Sequence, residues 1–491
     1  MKHLLIAIAS ALCLLVAALL VRAVRYGAPA GAPQVVHAGA ADSAALPPDS
    51  VVLSHLAAAV RIPTVTYADS SPRIGQFQRL HAVLEANYPL VHARLQREVI
   101  DSAGLLFTWR GTDTTLRPLV LMGHMDVVPV EPGTEKNWTH APFSGDIAGG
   151  AVWGRGTLDD KSAVTGTLEA VESLLRSGWT PRRTVILSYG YTEEGGGLTM
   201  QRLIDLLQSR GVRPRMVLDE GGFVTDGVIA GVPGKVALVA TAEKGFMDLR
   251  LTAHGVGGHS SAPPRQTAVG ILAEAITKIE RNPMPARLDG ASLAMMETVG
   301  HLMPLGRRVI MANLWLFKPM LMSILSKSPT SDAAMRTTTA PTMLQGSPKD
   351  NVLPSTATAT INFRLLPGDS PDAVIRHVRR VVADDRVSVD TVPGFASAAS
   401  PTSPSDGPEF HELEQTIEET FPGATVAPFL TIGATDSRYF TRLTPNVYRF
   451  LPLVVTQGDI ERVHGTNERV LAVDYVRGVK FYRRLIERAA R

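Results

Sequence analysis

Three pairs of side chains able to hold a divalent cation punctuate the first half of this 491-residue chain: His124 with Asp126, Glu193 with Glu194, and Asp219 with Glu220. Each pair follows an apolar run, at 119–122, 184–188 and 216–218. A histidine and an aspartate two apart at a strand end project from one face, so the carboxylate can fix the imidazole while the ring binds metal. Adjacent glutamates in extended chain point to opposite sides, which lets one bind a cation while its neighbour holds a water. A fourth carboxylate, Asp159, is delivered by the Gly-rich stretch W-G-R-G-T-L-D-D-K at 153–161, just before a helix. Singly, each feature has a plain structural explanation: a chance His-x-Asp triplet, an aspartate capping a helix, a solvated acidic turn. Structural turns have no reason to produce all of them beyond the ends of separate strands in one domain. The single cysteine is Cys13, so a metal in the folded body must sit on His, Asp and Glu, and no intrachain disulfide forms.

The elements that must position these residues alternate. Apolar runs at 119–122, 184–188 and 216–218 are separated by helical patterns at 162–177 and 199–209, which predicts an α/β sheet with parallel members. Ligands of such sheets gather beyond the carboxyl ends of the strands, where the acidic and His pairs stand. From 244 to 399 the texture changes to strand (247–253), helix (267–281), strand (356–365), helix (371–382) and strand (386–392), an inserted α+β unit. Within it, 283–346 is rich in Met, Leu and Pro; its apolar stretches 309–317 and 320–325 are expected to be interrupted at Lys318 and Pro319. The expected organisation is a signal peptide or membrane anchor at 1–25, a linker at 26–50, a catalytic domain in two parts at 51–243 and 400–491, and the inserted domain at 244–399.

Residues 4–21 are apolar apart from Ser10, with Lys2 and His3 before them and Arg22 and Arg25 after. Their length falls between the ~7–15 residues of a signal core and the ~20 of a spanning helix. Ala28, Ala30 and Ala32 offer cleavage sites, whereas the arginines suit an anchor, so an extracytoplasmic or membrane-anchored protein is expected. A net charge of +3, dispersed along the chain, gives no sign of a nucleic-acid partner.

A specific resemblance now emerges. G-H-M-D-V-V-P (123–129), G-R-G-T-L-D-D-K (154–161), T-E-E-G (192–195), L-D-E-G-G (218–222) and G-x-G-G-H-S-S (255–261) occur in order. They resemble the signatures of the zinc metallopeptidase family that contains aminoacylases, glutamate carboxypeptidase and the vacuolar Gly-X carboxypeptidase. N-V-L-P (351–354), G-A-T-D-S-R (433–438) and H-G-T-N-E (464–468) extend the likeness over nearly the whole body from residue 51. N-L-W-L-F-K-P (313–319) and R-T-T-T-A (336–340) are most similar to the Gly-X carboxypeptidase branch and to the secreted enzymes that make and cleave N-fatty-acyl amino acids.

The resemblance implies a di-zinc exopeptidase-like catalytic domain, its mixed sheet flanked by helices, with an inserted ferredoxin-like domain serving as lid or dimerisation unit. It implies that His124, Glu220 and Asp159 hold one zinc and that Glu194, His464 and the same Asp159 hold the other. Asp219 is the alternative to Glu220. Asp126 would steady His124, Glu193 would be the general base, and His259 would reach an active site across a homodimer contact as oxyanion donor. Asn351, Arg364 and Arg438 are candidates for gripping a substrate carboxylate, arginine by a bidentate pair. His140 and His254 are read as structural. The expected reaction is hydrolysis of an amide bond that releases an amino acid with a free carboxylate, from a small peptide or an N-acyl amino acid. The apolar stretch 309–325 would form either an acyl-chain wall or a packing contact. The reading from another class, a catalytically inactive binding protein on the same fold, would need a lost base or ligand, and every candidate is present.

Overall fold

The computed structural model of the protein describes residues 1–27, 46–67 and 72–491. Most of the linker expected at 26–50, with Ala28, Ala30 and Ala32, lies outside the described residues.

A ten-stranded mixed sheet forms the main body. At its centre Val185–Gly190, Leu119–His124, Met216–Asp219 and Val447–Arg449 lie side by side and parallel. The hairpin Gln96–Ile100/Gly104–Trp109 pairs antiparallel onto one edge, and Lys235–Glu243 continues the sheet on the other. The central strands are buried at every position. Such runs need helices on both faces. Asp49–Val60, Ile74–Asn87, Lys161–Arg176 and Ala472–Ala489 pack on one face around Leu121, Leu168 and Leu485, and Leu198–Ser209 covers the other with Leu203 and Ile204. Because the central strands run the same way, their carboxyl ends share one rim, and the chain leaves that rim at His124, just before Glu193, and at Asp219.

A second sheet has the order Thr338–Gln345, Thr356–Leu365, Gly245–His254, Val387–Ser397, all antiparallel. Burial alternates along Gly245–His254 and Thr356–Leu365, so one face is dry, and helices Ala268–Arg281 and Pro371–Val382 share its core. Both helices begin on sequence-legible caps: Thr267 Oγ1 accepts the Gly270 N–H at 3.2 Å, and Ser370 Oγ accepts that of Ala373 at 3.2 Å ahead of Pro371. The connectivity is β-α-β-β-α-β, the ferredoxin-like arrangement.

Between Ala268–Arg281 and Thr338–Gln345 the chain forms further helices, among them Gly290–Gly300, Leu305–Met311 and Leu314–Leu325. The expected interruption at Lys318–Pro319 is not where the chain breaks. Leu314–Leu325 runs through Pro319, and the bend of 109° falls before it, around Asn313. The buried Asn313 amide donates to Val309 O at 2.8 Å and to Leu19 O at 3.2 Å, a side chain competing for backbone carbonyls where a continuous helix would run. This region packs against Val236, Leu238 and Ala427 of the main sheet and against the N-terminal helix Lys2–Tyr26, whose Leu19 and Ala23 are buried there.

Candidate active site

Asp159 stands at the centre of the site. It leaves a turn in which Gly156 takes φ +94°, a left-handed conformation suited to glycine, and where an added Cβ would meet Val127 Cγ1 at 2.9 Å. The following peptide, Asp159–Asp160, is cis. Glu468, fully buried, gathers this turn: one carboxylate oxygen accepts the N–H groups of Gly156 (2.9 Å), Leu158 (2.8 Å) and Asp159 (3.3 Å), and the other takes Arg155 Nη1 at 2.5 Å. Asp160 opens helix Lys161–Arg176 yet does not cap it with its side chain; its Oδ2 accepts the His124 N–H at 3.2 Å and so ties the turn to the strand end.

The two oxygens of Asp159 face two imidazoles. His124 Nε2 lies 2.8 Å from Asp159 Oδ1 and 3.2 Å from Glu220 Oε1. His464 Nε2 lies 2.9 Å from Asp159 Oδ2 and 3.2 Å from Glu194 Oε1. His464 reaches inward from a left-handed backbone, φ +60°, held by Arg155 Nη2 on its carbonyl at 3.0 Å. For a non-glycine residue that conformation is costly and marks a position the surroundings over-determine. Glu193 joins the cluster from the turn before helix Leu198–Ser209; His124, Glu193 and Glu220 each offer one donor atom within 4.8 Å of the others.

Asp219 and Glu220 divide their work. Asp219 Oδ2 accepts the Ser437 N–H at 3.0 Å and braces the neighbouring loop, while Glu220 turns to His124. Asp126 acts more through its backbone than expected: His124 Nδ1 meets Asp126 O at 3.0 Å and the carboxylate at 3.4 Å. The carboxylate itself accepts the N–H groups of Glu193 (3.2 Å) and Glu194 (3.1 Å), fixing the turn that carries both glutamates.

Burial raises the Glu193 carboxyl well above its usual range, with Glu220, Asp436 and Glu194 adding to it, and pushes Glu220 up to about 8 with Asp159 as the next cause. Burial likewise opposes charge on Asp159, but hydrogen bonds from His124 and His464 outweigh it and hold Asp159 low. His464 is pushed up to about 10 by Asp159 and Glu194. Buried carboxylates crowding two imidazoles, with Glu194 Oε1 meeting His464 as an ion pair, are a donor set that divalent cations fit.

Among the described residues the remaining candidates make no direct hydrogen bond or ion pair to this cluster. Arg438 sits on the turn Asp436–Arg442, its guanidinium 4.7 Å over the Tyr439 ring and its buried Nε without a hydrogen-bond partner among the described residues. The turn is held by Glu243 Oε2, which accepts from Thr435 N and Oγ1 (both 2.9 Å) and from the buried Arg449 Nε (3.0 Å). Arg364, on the second sheet, stacks 4.8 Å over Phe246; burial and the nearby Arg438 charge hold its guanidinium below its usual range. His259 and Asn351 occupy one exposed corner of the second unit, where Gly258–His259 pairs with Val352–Leu353 and Ser260 N donates to Asn351 O at 3.1 Å. The hydrogen bonds of His259 Nδ1 go to Ser261, not to the carboxylate cluster. His140 pairs with Asp146 at 2.9 Å, and His254 is an exposed strand end.

Sequence reasoning gave no role to Asp160, Glu468, Arg155 or Asp436. Each stands within a quoted motif, which was the available signal. Asp436 is buried with neither carboxylate oxygen hydrogen-bonded among the described residues, and burial pushes its carboxyl up to about 7.

Residues 120–488 match the model of peptidase family M20/M25/M40. The chain is 41% identical over 437 residues to the N-fatty-acyl-amino acid synthase/hydrolase PM20D1 of Xenopus tropicalis, covering 88% of this chain and 84% of that protein. It is 39% identical over 445 residues to a probable carboxypeptidase S-like 2 of Dictyostelium discoideum, covering 89% and 85%. The fold resembles that of the M20 family metallo-carboxypeptidase Sso-CP2 from Sulfolobus solfataricus, with a TM-score of 0.65 at 18% identity over 89% of this chain and 98% of that one. With a family match spanning most of the body and a metal-ligand cluster at the strand ends, the chain is a hydrolytic enzyme belonging to peptidase family M20/M25/M40.

Proposed function

We propose that the chain is a zinc-dependent hydrolase that cleaves an amide bond and releases an amino acid with a free carboxylate, from an N-acyl amino acid or the C-terminus of a small peptide. One observation carries the reading: each oxygen of Asp159 meets a histidine, and each histidine meets one further carboxylate. Two zinc ions would be held by His124, Asp159 and Glu220 and by His464, Asp159 and Glu194. Bound there, they supply Lewis acidity to an attacking water and to the scissile carbonyl. Glu193, the free carboxylate of the cluster, takes the water proton and returns it to the departing amine nitrogen.

Arg364 and Arg438, whose charge holds the Arg364 guanidinium down, would offer two cationic groups to the carboxylate of the leaving amino acid. His259 and Asn351, together on one exposed corner, suit delivery to a second copy's cluster in a homodimer, where His259 would donate to the developing oxyanion. The helix Lys2–Tyr26, long and apolar enough to cross a membrane, supports export with the catalytic body anchored outside the cytoplasm.

The test is release of free amino acid from a panel of N-acyl amino acids and dipeptides, with their carboxyl-amidated forms as controls. Turnover of the free carboxylates, lost on chelation and restored by zinc, is expected. Undiminished turnover after metal removal, or equal cleavage of the amidated controls, contradicts the reading.

A further inference from the structure

Helices Leu305–Met311 and Leu314–Leu325 expose Leu305, Trp315, Leu316, Met320 and Ile324, with Trp315 63% exposed. Large apolar side chains grouped on two successive helices are not the scattered singletons of an ordinary surface. The charges carried by this stretch of chain have one sign, with Glu297 of the preceding helix the acidic neighbour beside Trp315. From 298 to 331 there is no Asp or Glu, while Arg307, Arg308, Lys318 and Lys327 are present. Bent by 109°, the pair cannot cross a bilayer as one rod, but exposed apolar side chains on a segment whose own charges are all lysine and arginine suit an in-plane interfacial seating.

The level of this surface follows from its neighbour. The helix Lys2–Tyr26 is apolar until Arg22 and Arg25, and its last turns dock on the same region: Asn313 Nδ2 donates to Leu19 O at 3.2 Å, Tyr26 Oη donates to Glu297 O at 2.6 Å, and the Tyr26 ring stacks 3.9 Å from His301. Arg22 and Trp315 line one cavity of about 450 Å³ whose other walls include Tyr26, Glu297, His301 and Leu314. If the helix spans, Arg22 and Arg25 mark the headgroup layer, and Trp315 stands at their depth, where tryptophan is enriched.

We propose that Leu305–Met311 and Leu314–Leu325 seat in the headgroup layer of an anionic phospholipid bilayer, beside the point where helix Lys2–Tyr26 leaves it. The seating rests on the reading of that helix as a retained anchor. The basic residues supply attraction to anionic lipid, the exposed Leu, Met and Ile side chains enter the acyl boundary, and Trp315 fixes the depth. Long-chain N-acyl amino acids partition into the same layer, so the seating holds the enzyme where that substrate class concentrates.

The full chain, reconstituted in phosphatidylcholine/phosphatidylglycerol vesicles, provides the test through two readouts. Flotation after an alkaline wash reports the anchor. Quenching by lipids brominated near the headgroup or near the chain ends, compared between the wild-type protein and Trp315→Phe, reports the seating. The emission that the substitution removes is expected to be quenched most by the shallow bromines. Flotation without quenching of that emission overturns the seating and leaves the anchor standing. Shielding of Trp315 from both bromolipid and aqueous iodide assigns the surface to a second copy, again overturning it. A chain that does not float overturns anchor and seating together.

Discussion

Glu193 and Glu194 are chemically identical neighbours, and only their aim separates them. Glu194 approaches His464 at 3.2 Å, whereas Glu193 shares the space of His124 and Glu220. Glu193→Ala is therefore expected to lower kcat about 10²- to 10⁴-fold while leaving bound zinc unchanged. Parallel measurement of turnover and metal content checks this; loss of metal would mean that the two glutamates have exchanged roles. The residue types that meet at Asp159 were legible because their chemistry is particular and their motifs recur in order. Glu468 and Asp160 were not, although each lies in a quoted motif. A carboxylate that accepts backbone N–H groups and one that holds a cation look alike in sequence, and only the folded turn reveals which way each faces.

The turn carrying Asp159 depends on Glu468, which is fully buried with Arg155 and accepts three backbone N–H groups. Glu468→Ala leaves those donors and a guanidinium without a partner, so it should cost about 3 to 5 kcal/mol and loosen metal binding. Denaturant unfolding with metal analysis tests both, and full zinc occupancy at wild-type stability would count against the assignment. Helix Ile74–Asn87 carries a different sensitivity. His81 is 7% exposed, its Nε2 is 2.9 Å from Ala103 O, and burial pushes its pKa down to about 4. Between that value and the ordinary 6.5 the unfolded chain binds more protons than the folded one, so stability falls as pH falls through this window. At pH 5 the loss is about 1 to 2 kcal/mol, and His81→Gln should show that much less acid destabilisation in paired urea titrations at pH 7 and pH 5. Elements with a clear period were readable: the expected helix at 371–382 is Pro371–Val382, and the expected strand at 356–365 is Thr356–Leu365. The bend near Asn313 was not, because a buried amide reaching both Leu19 O and Val309 O is a tertiary event that a helix-breaking proline nearby overshadowed.

At the scale of the molecule, the candidate active centre draws on segments more than three hundred residues apart, His124 and His464, joined through one aspartate. The corner bearing His259 makes a prediction about assembly. Glu193→Ala and His259→Ala should each be impaired, yet mixing the two should restore about a quarter of wild-type activity through heterodimers with one intact site. Mixtures no more active than their components would confine His259 to its own chain. Substrate choice is a property of the whole surface: if the apolar helices at 305–325 serve acyl chains, an N-oleoyl amino acid should turn over faster than its N-acetyl counterpart, and a preference for acetyl would deny them that role. The proposed paired cation centre underlies all of this, and metal stoichiometry addresses it most directly. Zinc-loaded protein, dialysed free of excess ion and measured by plasma mass spectrometry, should retain two equivalents per chain, while Asp159→Ala, which removes the shared ligand, should fall well below that. One equivalent or less in the wild-type protein, or two in the Asp159 variant, would contradict a centre bridged by Asp159.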